Sequence, residues 1–334
     1  MITRFADIAG HDSSLRVLRR SLADRRLHHS LIFHGPVAVG KRTVARALAA
    51  ALNCEKRGDD ACGTCVSCLK VEKEIHPDVV YRTLERTVIP IDAIRSLRQE
   101  AAYRPYEGNA RVFIIDPADR LSTDAQNALL KTLEEPFTSS VIILITSRPM
   151  HLLATTRSRC QSLAFGTLPY GALAAILSDR HGFPLSQAER VARLSGGRYG
   201  AALGLNLEEH DARREALLQV LGRLAEPLPR AHVLDDAASF GDDAEEISAS
   251  LTLLAGLVRD MMVLAAGASG ADDAALVHAD RAADLGALCE RFGPGLGAIQ
   301  DRIRMASTDI DRNVNRKLLV ETLLFDIAQS ATSS

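Results

Sequence analysis

The sequence predicts an α/β domain built on a doubly wound parallel sheet, followed by helices alone. Three observations carry this. The runs "SLIFHG" from residue 30, "ARVFIIDPADRL" from 110 and "SSVIILITSRP" from 139 are apolar at consecutive positions, as in strands covered on both faces. Breaker-free stretches of helical character alternate with these runs, which is the pattern of parallel strands joined by helices. From about residue 167 strand-like runs stop.

Each element has its own justification. "SLIFHG" is a short strand that meets a glycine loop, and "RTVARALAAALN" after it is an alanine-rich helix. In "STDAQNALLKTLEEP", Ser122 or Thr123 can cap a helix that Pro136 closes. "GALAAILSDRHG" and "SQAERVARLSGGRYGAALGL" read as short helices with a break at Gly196 and Gly197. In "EEISASLTLLAGLVRDMMVLAAG" the residues Ile247, Leu251, Leu254, Val258 and Met261 recur at three- and four-residue spacing and mark one apolar face. "NVNRKLLVETLLFDIAQ" is a final helix, and the stretches near 234–245 and 266–275 read as interhelical connections. The expected division is 1–166 α/β, 167–207 small helical and 208–334 all-helical.

Bulk properties set limits. A chain of 334 residues is too long for one ordinary core, and 47% hydrophobic with 25% charged residues is ordinary globular composition. A formal net charge of -2 argues against a protein that coats nucleic acid by charge alone, and leaves room for local basic strips such as "RRLHH" at 25–29. Aromatic content of 4% and no Trp leave no stacking platform for single strands. The segment "MITRFADIAGHDSSL" has no apolar core of signal-peptide length, and no window approaches 18 uninterrupted apolar residues, so a soluble, cytoplasmic protein is expected.

"LIFHGPVAVGKRT" begins like a phosphate-gripping loop. Gly35, Gly40 and Lys41 satisfy G-x-x-x-x-G-K, but Arg42 stands where a Ser or Thr should hold Mg²⁺. Lys41 could still reach phosphate oxygens. Thr43 comes one position late and points about 100° around the helix. Arg42 removes an oxygen ligand and adds a cation, so magnesium binding is compromised.

Cys54, Cys62, Cys65 and Cys68 form C-x7-C-x2-C-x2-C, while Cys160 and Cys289 stand alone. Four thiolates about 2.3 Å from one ion satisfy tetrahedral Zn²⁺, and the x2 spacings let a tight turn present several sulfurs to one point. Disulfides suit an oxidising compartment instead, and clustering within 15 residues argues against four unconnected thiols. A closed site of four thiolates keeps no open coordination position, which makes it a structural staple over 54–68.

The P-loop helix running into four cysteines, then "HPDVV", "VIPIDAIRSLRQE", "VFIIDPADRLSTDAQNALLKTLEEP", "ILITSRP" and "LLATTRSRCQSLAF", resembles the clamp-loader branch of the AAA+ family. "NVNRKLLVETLLFD" is similar to the last helix of that branch's collar domain. The resemblance implies an AAA+ module, a small helical lid and an all-α collar. It leaves two types, an ATP-hydrolysing tau/gamma motor and a delta prime type with a degraded nucleotide site.

Within the resemblance, Asp116 matches the Walker B aspartate, but Pro117 replaces the catalytic Glu and offers neither base nor N–H. Asp119 is out of register for that role and reads better as a solvated charge or helix cap. Ala38 fills a place usually given to Gly, and Gly200 stands at the sensor 2 arginine position, with Arg198 two residues away as a surface residue. Thr146 and Ser147 fall at the sensor 1 position. The cofactor positions carried over are thus Gly35, Gly40, Lys41, Asp116 and Thr146, in a site whose chemistry has gone.

Arg159 in "SRC" corresponds to an arginine finger aimed at ATP on a neighbouring subunit, a task suited to a permanently charged planar fork. Its alternative is an ion pair within its own domain. Arg95 and Arg98 in "DAIRSLRQE" are candidates for DNA phosphates, or else lie on a solvated face with Arg95 paired to Asp92. The resemblance implies tau/gamma and delta subunits, the sliding clamp and primer-template DNA as partners, with ATP and Mg²⁺ at the neighbour's site. Two other functions are weighed: a tau/gamma-like motor, supported by Lys41 and Asp116, and a DNA-binding zinc protein, opposed by the near-neutral charge.

Overall fold

Five parallel strands, β1 (Ser30–His34), β2 (Val79–Thr83), β3 (Arg111–Asp116), β4 (Ser140–Thr146) and β5 (Gln161–Ala164), form one sheet in the order β2-β3-β4-β1-β5 in this computed structural model, which describes residues 4–83, 89–137, 139–226, 233–267, 276–310 and 314–332. The chain divides into two compact units, Met1–Gly204 and Leu205–Ser334.

In the first unit, β1 (Ser30–His34), β3 (Arg111–Asp116) and β4 (Ser140–Thr146) occupy the middle of the sheet and coincide with the three apolar runs. Side chains alternate between two cores, as a pleat requires. Leu31, Phe33, Val112, Ile114 and Ile143 face α1 (Asp12–Ala23), α2 (Lys41–Asn53) and α3 (Val66–Glu72). Ile32, Phe113, Ile115, Ile142 and Leu144 face α4 (Ile91–Ala101) and α5 (Thr123–Glu134) on the other side. Ser122 caps α5 by accepting the Ala125 N–H at 3.1 Å.

Two edge strands have no counterpart among the predicted ones. They are β2 (Val79–Thr83) and β5 (Gln161–Ala164). Only Leu163 of β5 is buried, so neither the long apolar run nor clean alternation is present to read. Helices α6 (Ala154–Arg157), α7 (Tyr170–His181), α8 (Leu185–Leu194) and α9 (Tyr199–Leu203) complete this unit.

The second unit is helical: α10 (Leu207–Leu224), α11 (Val233–Ala238), α12 (Ala244–Ala265), α13 (Ala282–Phe292), α14 (Leu296–Asp309) and α15 (Arg316–Thr332). Asn206 and Asp243 cap α10 and α12. The α12 stripe Ile247, Leu251, Leu254, Val258 and Met261 is at most 2% exposed and forms the spine of the core. By length and composition α12 could cross a membrane, yet this face is committed to packing.

The connection expected near 234–245 is partly a helix, since α11 covers its start. Its acidic character misled because Asp236 is buried and accepts from Arg223 Nε at 2.9 Å. Most of the connection expected at 266–275 lies outside the described residues.

Candidate functional site

β1 ends at the glycine loop, and α2 starts from it. Gly35 has φ +144°, and a Cβ there would meet the Phe165 carbonyl oxygen at 1.9 Å, so no side chain fits. Ala38, by contrast, holds a left-handed φ of +63° with a side chain in place. Lys41 is buried. Its Nζ donates to the Gly35 and Pro36 carbonyls, both at 2.6 Å, and burial pulls its pKa down. Two of its three protons are thus engaged by the loop it belongs to.

Arg42 turns to Glu74, at 3.7 Å, and its guanidinium lies 5.8 Å from the Tyr81 ring centroid. Arg46 joins it on Glu74 at 3.2 Å. At the end of β3, burial raises the Asp116 carboxyl, while Arg42 and Lys41 pull it back. Beside it, Asp119 is neither a solvated charge nor a helix cap. It accepts the Thr146 hydroxyl at 2.7 Å, and that hydroxyl accepts the Arg148 N–H at 2.9 Å. Thr146 therefore has its hydrogen bonds satisfied within the fold. Gly200 donates its N–H to the Ala38 carbonyl at 2.8 Å, and a Cβ at Gly200 would stand 2.9 Å from that oxygen. Arg198 is half-buried and donates to the Ser195 carbonyl at 2.8 Å.

At the other end of α2 the cysteines gather. Cys54 is the helix C-cap and Cys65 the N-cap of α3. All four sulfurs lie within 4.8 Å of one another, with Cys62 and Cys68 at 4.0 Å. A tetrahedral ion with bonds of about 2.3 Å asks for sulfurs about 3.8 Å apart, so the cluster could hold one metal ion. The backbone N–H groups of Cys62 and Cys65 point at Cys54 Sγ (3.4 Å) and Cys62 Sγ (3.3 Å). Hydrogen bonds from the Thr64 hydroxyl and N–H bring Cys62 to about 6, while burial pushes Cys68 up. Cys160 sits apart, its thiol raised to about 12 by burial.

Arg159 lies between α6 and β5 and is partly exposed. Its Nε and Nη2 both reach Glu134 Oε1 at 2.7 Å, and Nη1 donates to the Thr155 carbonyl at 3.0 Å. Arg95 and Arg98, both exposed on α4, border a groove of about 320 Å³ against α5. Arg95 pairs with Asp92 at 3.1 Å.

The chain is similar to several known proteins. The family profile described as "DNA polymerase III, delta subunit" matches residues 10–169. The DNA polymerase III subunit tau of Escherichia coli is 33% identical over 264 residues, 78% of this chain and 37% of that protein. The subunit delta' of Bacillus subtilis is 34% identical over 154 residues, 46% of this chain and 47% of that protein. The chain belongs to the clamp-loader branch of the AAA+ family. It spans about a third to a half of the length of these curated relatives. A gamma subunit-related protein from Thermotoga maritima covers 95% of this chain and 99% of its own at 17% identity and a TM-score of 0.41.

Some residues that shape this clamp-loader module carry no signal in a motif reading. Asp78 is fully buried and accepts the backbone N–H groups of 106, 107 and 108 at 2.7, 2.9 and 2.8 Å. Burial works to raise its carboxyl, but these hydrogen bonds outweigh it and hold the group below the usual range. Asn53, the last residue of α2, accepts the N–H groups of 109 and 110 at 2.8 and 3.0 Å. His76 lies 3.0 Å from the Ser67 hydroxyl on α3, and burial lowers its pKa. The "HPD" stretch thus fastens the cysteine segment to the sheet. Glu134 was visible only as part of "LEEP"; its partner Arg159 is 25 residues away, beyond any periodicity.

Proposed function

We propose that this chain is the non-hydrolysing, delta prime type subunit of a bacterial replicative clamp loader. The single observation that carries the reading is the self-satisfied glycine loop, with Lys41 donating to the carbonyls of Gly35 and Pro36 while Gly200 bonds to Ala38. Arg42 at the Mg²⁺-ligand position and Pro117 in place of a catalytic carboxylate agree with it. Residues 1–166 act as the AAA+ module, 167–207 as the lid and 208–334 as the collar through which the subunit joins tau/gamma and delta partners. The assembly places a sliding clamp on primer-template DNA in the cytoplasm, and ATP with Mg²⁺ sits at the neighbour's site.

Arg159 is the arginine finger. Its partner Glu134 is 48% exposed at the side chain, and exchanging such a surface pair costs only about 0–1 kcal/mol. The guanidinium is therefore free to swing to a γ-phosphate, where its fork stabilises the charge of phosphoryl transfer. The four cysteines hold structural zinc. With every coordination position filled by sulfur, the ion supplies rigidity and no chemistry.

A second reading, a tau/gamma-type motor, is favoured by the similarity to tau over 78% of the chain and by the presence of Lys41 and Asp116. ATP turnover decides between them. Alone, the chain is expected to be inert. In the loader reconstituted with clamp and primed DNA, Arg159→Ala is expected to lower turnover about ten-fold while assembly persists. Turnover by the isolated chain that vanishes in Lys41→Ala would make it a motor.

A further inference from the structure

A cavity of about 910 Å³ opens at the edge of the sheet where the central strands begin, the end opposite the glycine loop. That size lies within the range of ligand pockets, about 300–1,000 Å³. Half-buried Leu22, Leu27, Leu52 and Phe137, with Val141, give it an apolar wall drawn from both faces of the sheet.

Its rim is cationic. Arg25 and Arg57 are both exposed lining residues, and both hold left-handed backbone, at φ +53° and +44°. Arg25 follows the C-cap of α1, with its own N–H on the Leu22 carbonyl at 3.1 Å and the Arg26 N–H on the Ser21 carbonyl at 2.8 Å. Glycine is the usual residue in that turn because it alone takes this conformation without cost. A long cation placed twice in glycine's conformation, on the rim of one cavity, points to a use for the charge. The acidic neighbours are already engaged: Asp59 pairs with Arg19 at 2.9 Å and Asp24 with Arg20 at 3.7 Å. Arg57 donates to the Asn109 amide oxygen at 2.6 Å, and neither Arg25 nor Arg57 pairs with a carboxylate among the described residues.

We propose that this cavity docks an extended acidic-hydrophobic peptide of a partner protein. A large apolar side chain packs on the wall of Leu22, Leu27, Leu52 and Phe137, and flanking carboxylates meet Arg25 and Arg57. Nucleic acid also carries anions, but a sugar-phosphate backbone has no group to cover an apolar wall, so the peptide is the better complement.

The test uses the full chain and three fluorescein-labelled peptides, of alternating Asp and Leu, Asp and Ser, and Lys and Leu. Anisotropy is expected to rise saturably with the Asp–Leu peptide alone and to weaken with salt. The double variant Arg25→Gly, Arg57→Gly keeps its fold, because glycine takes both backbone angles freely, and its melting temperature is expected to stay level or rise. Its affinity for the Asp–Leu peptide should fall about ten-fold. Methyl NMR should show peptide-induced shifts at Leu22, Leu27 and Leu52. The proposal is overturned by no saturable binding, by equal binding of the Asp–Ser peptide, by unchanged affinity in the glycine variant, or by displacement of the peptide by primed duplex DNA.

Discussion

The two ends of α2 invite comparison. At its N-terminus Lys41 donates to two carbonyls of its own loop, and at its C-terminus Cys54 joins three other sulfurs, all within 4.8 Å of one another. Between them Val44, Ala45, Ala47, Leu48, Ala49 and Ala50 are fully buried in the core beneath the sheet. One end is hydrogen-bonded to itself and the other gathers four sulfurs that could hold a metal ion. The difference teaches that a motif and its chemistry are separable: the helix is fixed by its buried body, whatever its N-terminal loop binds.

The largest expected effect breaks the cysteine end. Elemental analysis should find one zinc per chain, and Cys68→Ser should remove it together with the protease resistance of 54–76. Ligand binding by a site absent from the unfolded chain is folding free energy, about 10 kcal/mol or more for small zinc modules, so melting should fall sharply. Lys41→Ala at the other end should change stability by less than about 1 kcal/mol, because it removes hydrogen bonds that leave only carbonyl acceptors near solvent. Equal losses at both ends would dissolve the contrast.

Next comes the fastening between cysteine segment and sheet. Asp78→Ala leaves three backbone N–H groups without an acceptor and should cost about 3 kcal/mol or more in denaturant unfolding. A loss below about 1 kcal/mol would mean that 106–108 find water instead.

The same network sets a pH dependence. His76 has its pKa lowered from 6.5 by burial, so it is neutral when folded and takes up a proton more readily when unfolded. Its contribution is present above about pH 6.5 and is lost as pH falls through that value toward the lower folded pKa. Asp78, held below 3.8, acts in the same direction but only in stronger acid. Melting temperature should drop from pH 7.5 to 5.5, and His76→Gln should flatten the drop. Thiolate protonation acts on both proteins alike, so a parallel pair of curves would remove His76 from the account.

How far the sequence was legible follows from where partners lie along the chain. The central strands could be read because burial on both faces writes consecutive apolar residues; β2 and β5 could not, since an edge strand has less apolar surface to hide. The clustering of the cysteines was legible because all four fall within 15 residues, 54–68. Asp119 was misread because its partner Thr146 is 27 residues away, and nothing in "DPADR" reveals that a neighbouring strand ends beside it. Gly200 could be placed opposite a sensor position, but its bond to Ala38 required the fold.

The smallest effect is the most discriminating about the N-terminal end. Arg42→Thr restores the hydroxyl that a P-loop uses for Mg²⁺, and if Arg42 alone had silenced the site, nucleotide affinity should return. Three features remain in that variant: Lys41 still engaged by Gly35 and Pro36, Gly200 still seated on Ala38, and Pro117 still without a base. We therefore expect less than about a ten-fold change in the binding of a fluorescent ATP analogue, and no turnover. On the proposed reading the loss is distributed over a network whose members satisfy one another, so no single side chain is expected to reverse it. A large gain from Arg42→Thr would show the reverse, a cradle still intact and blocked by one misplaced cation.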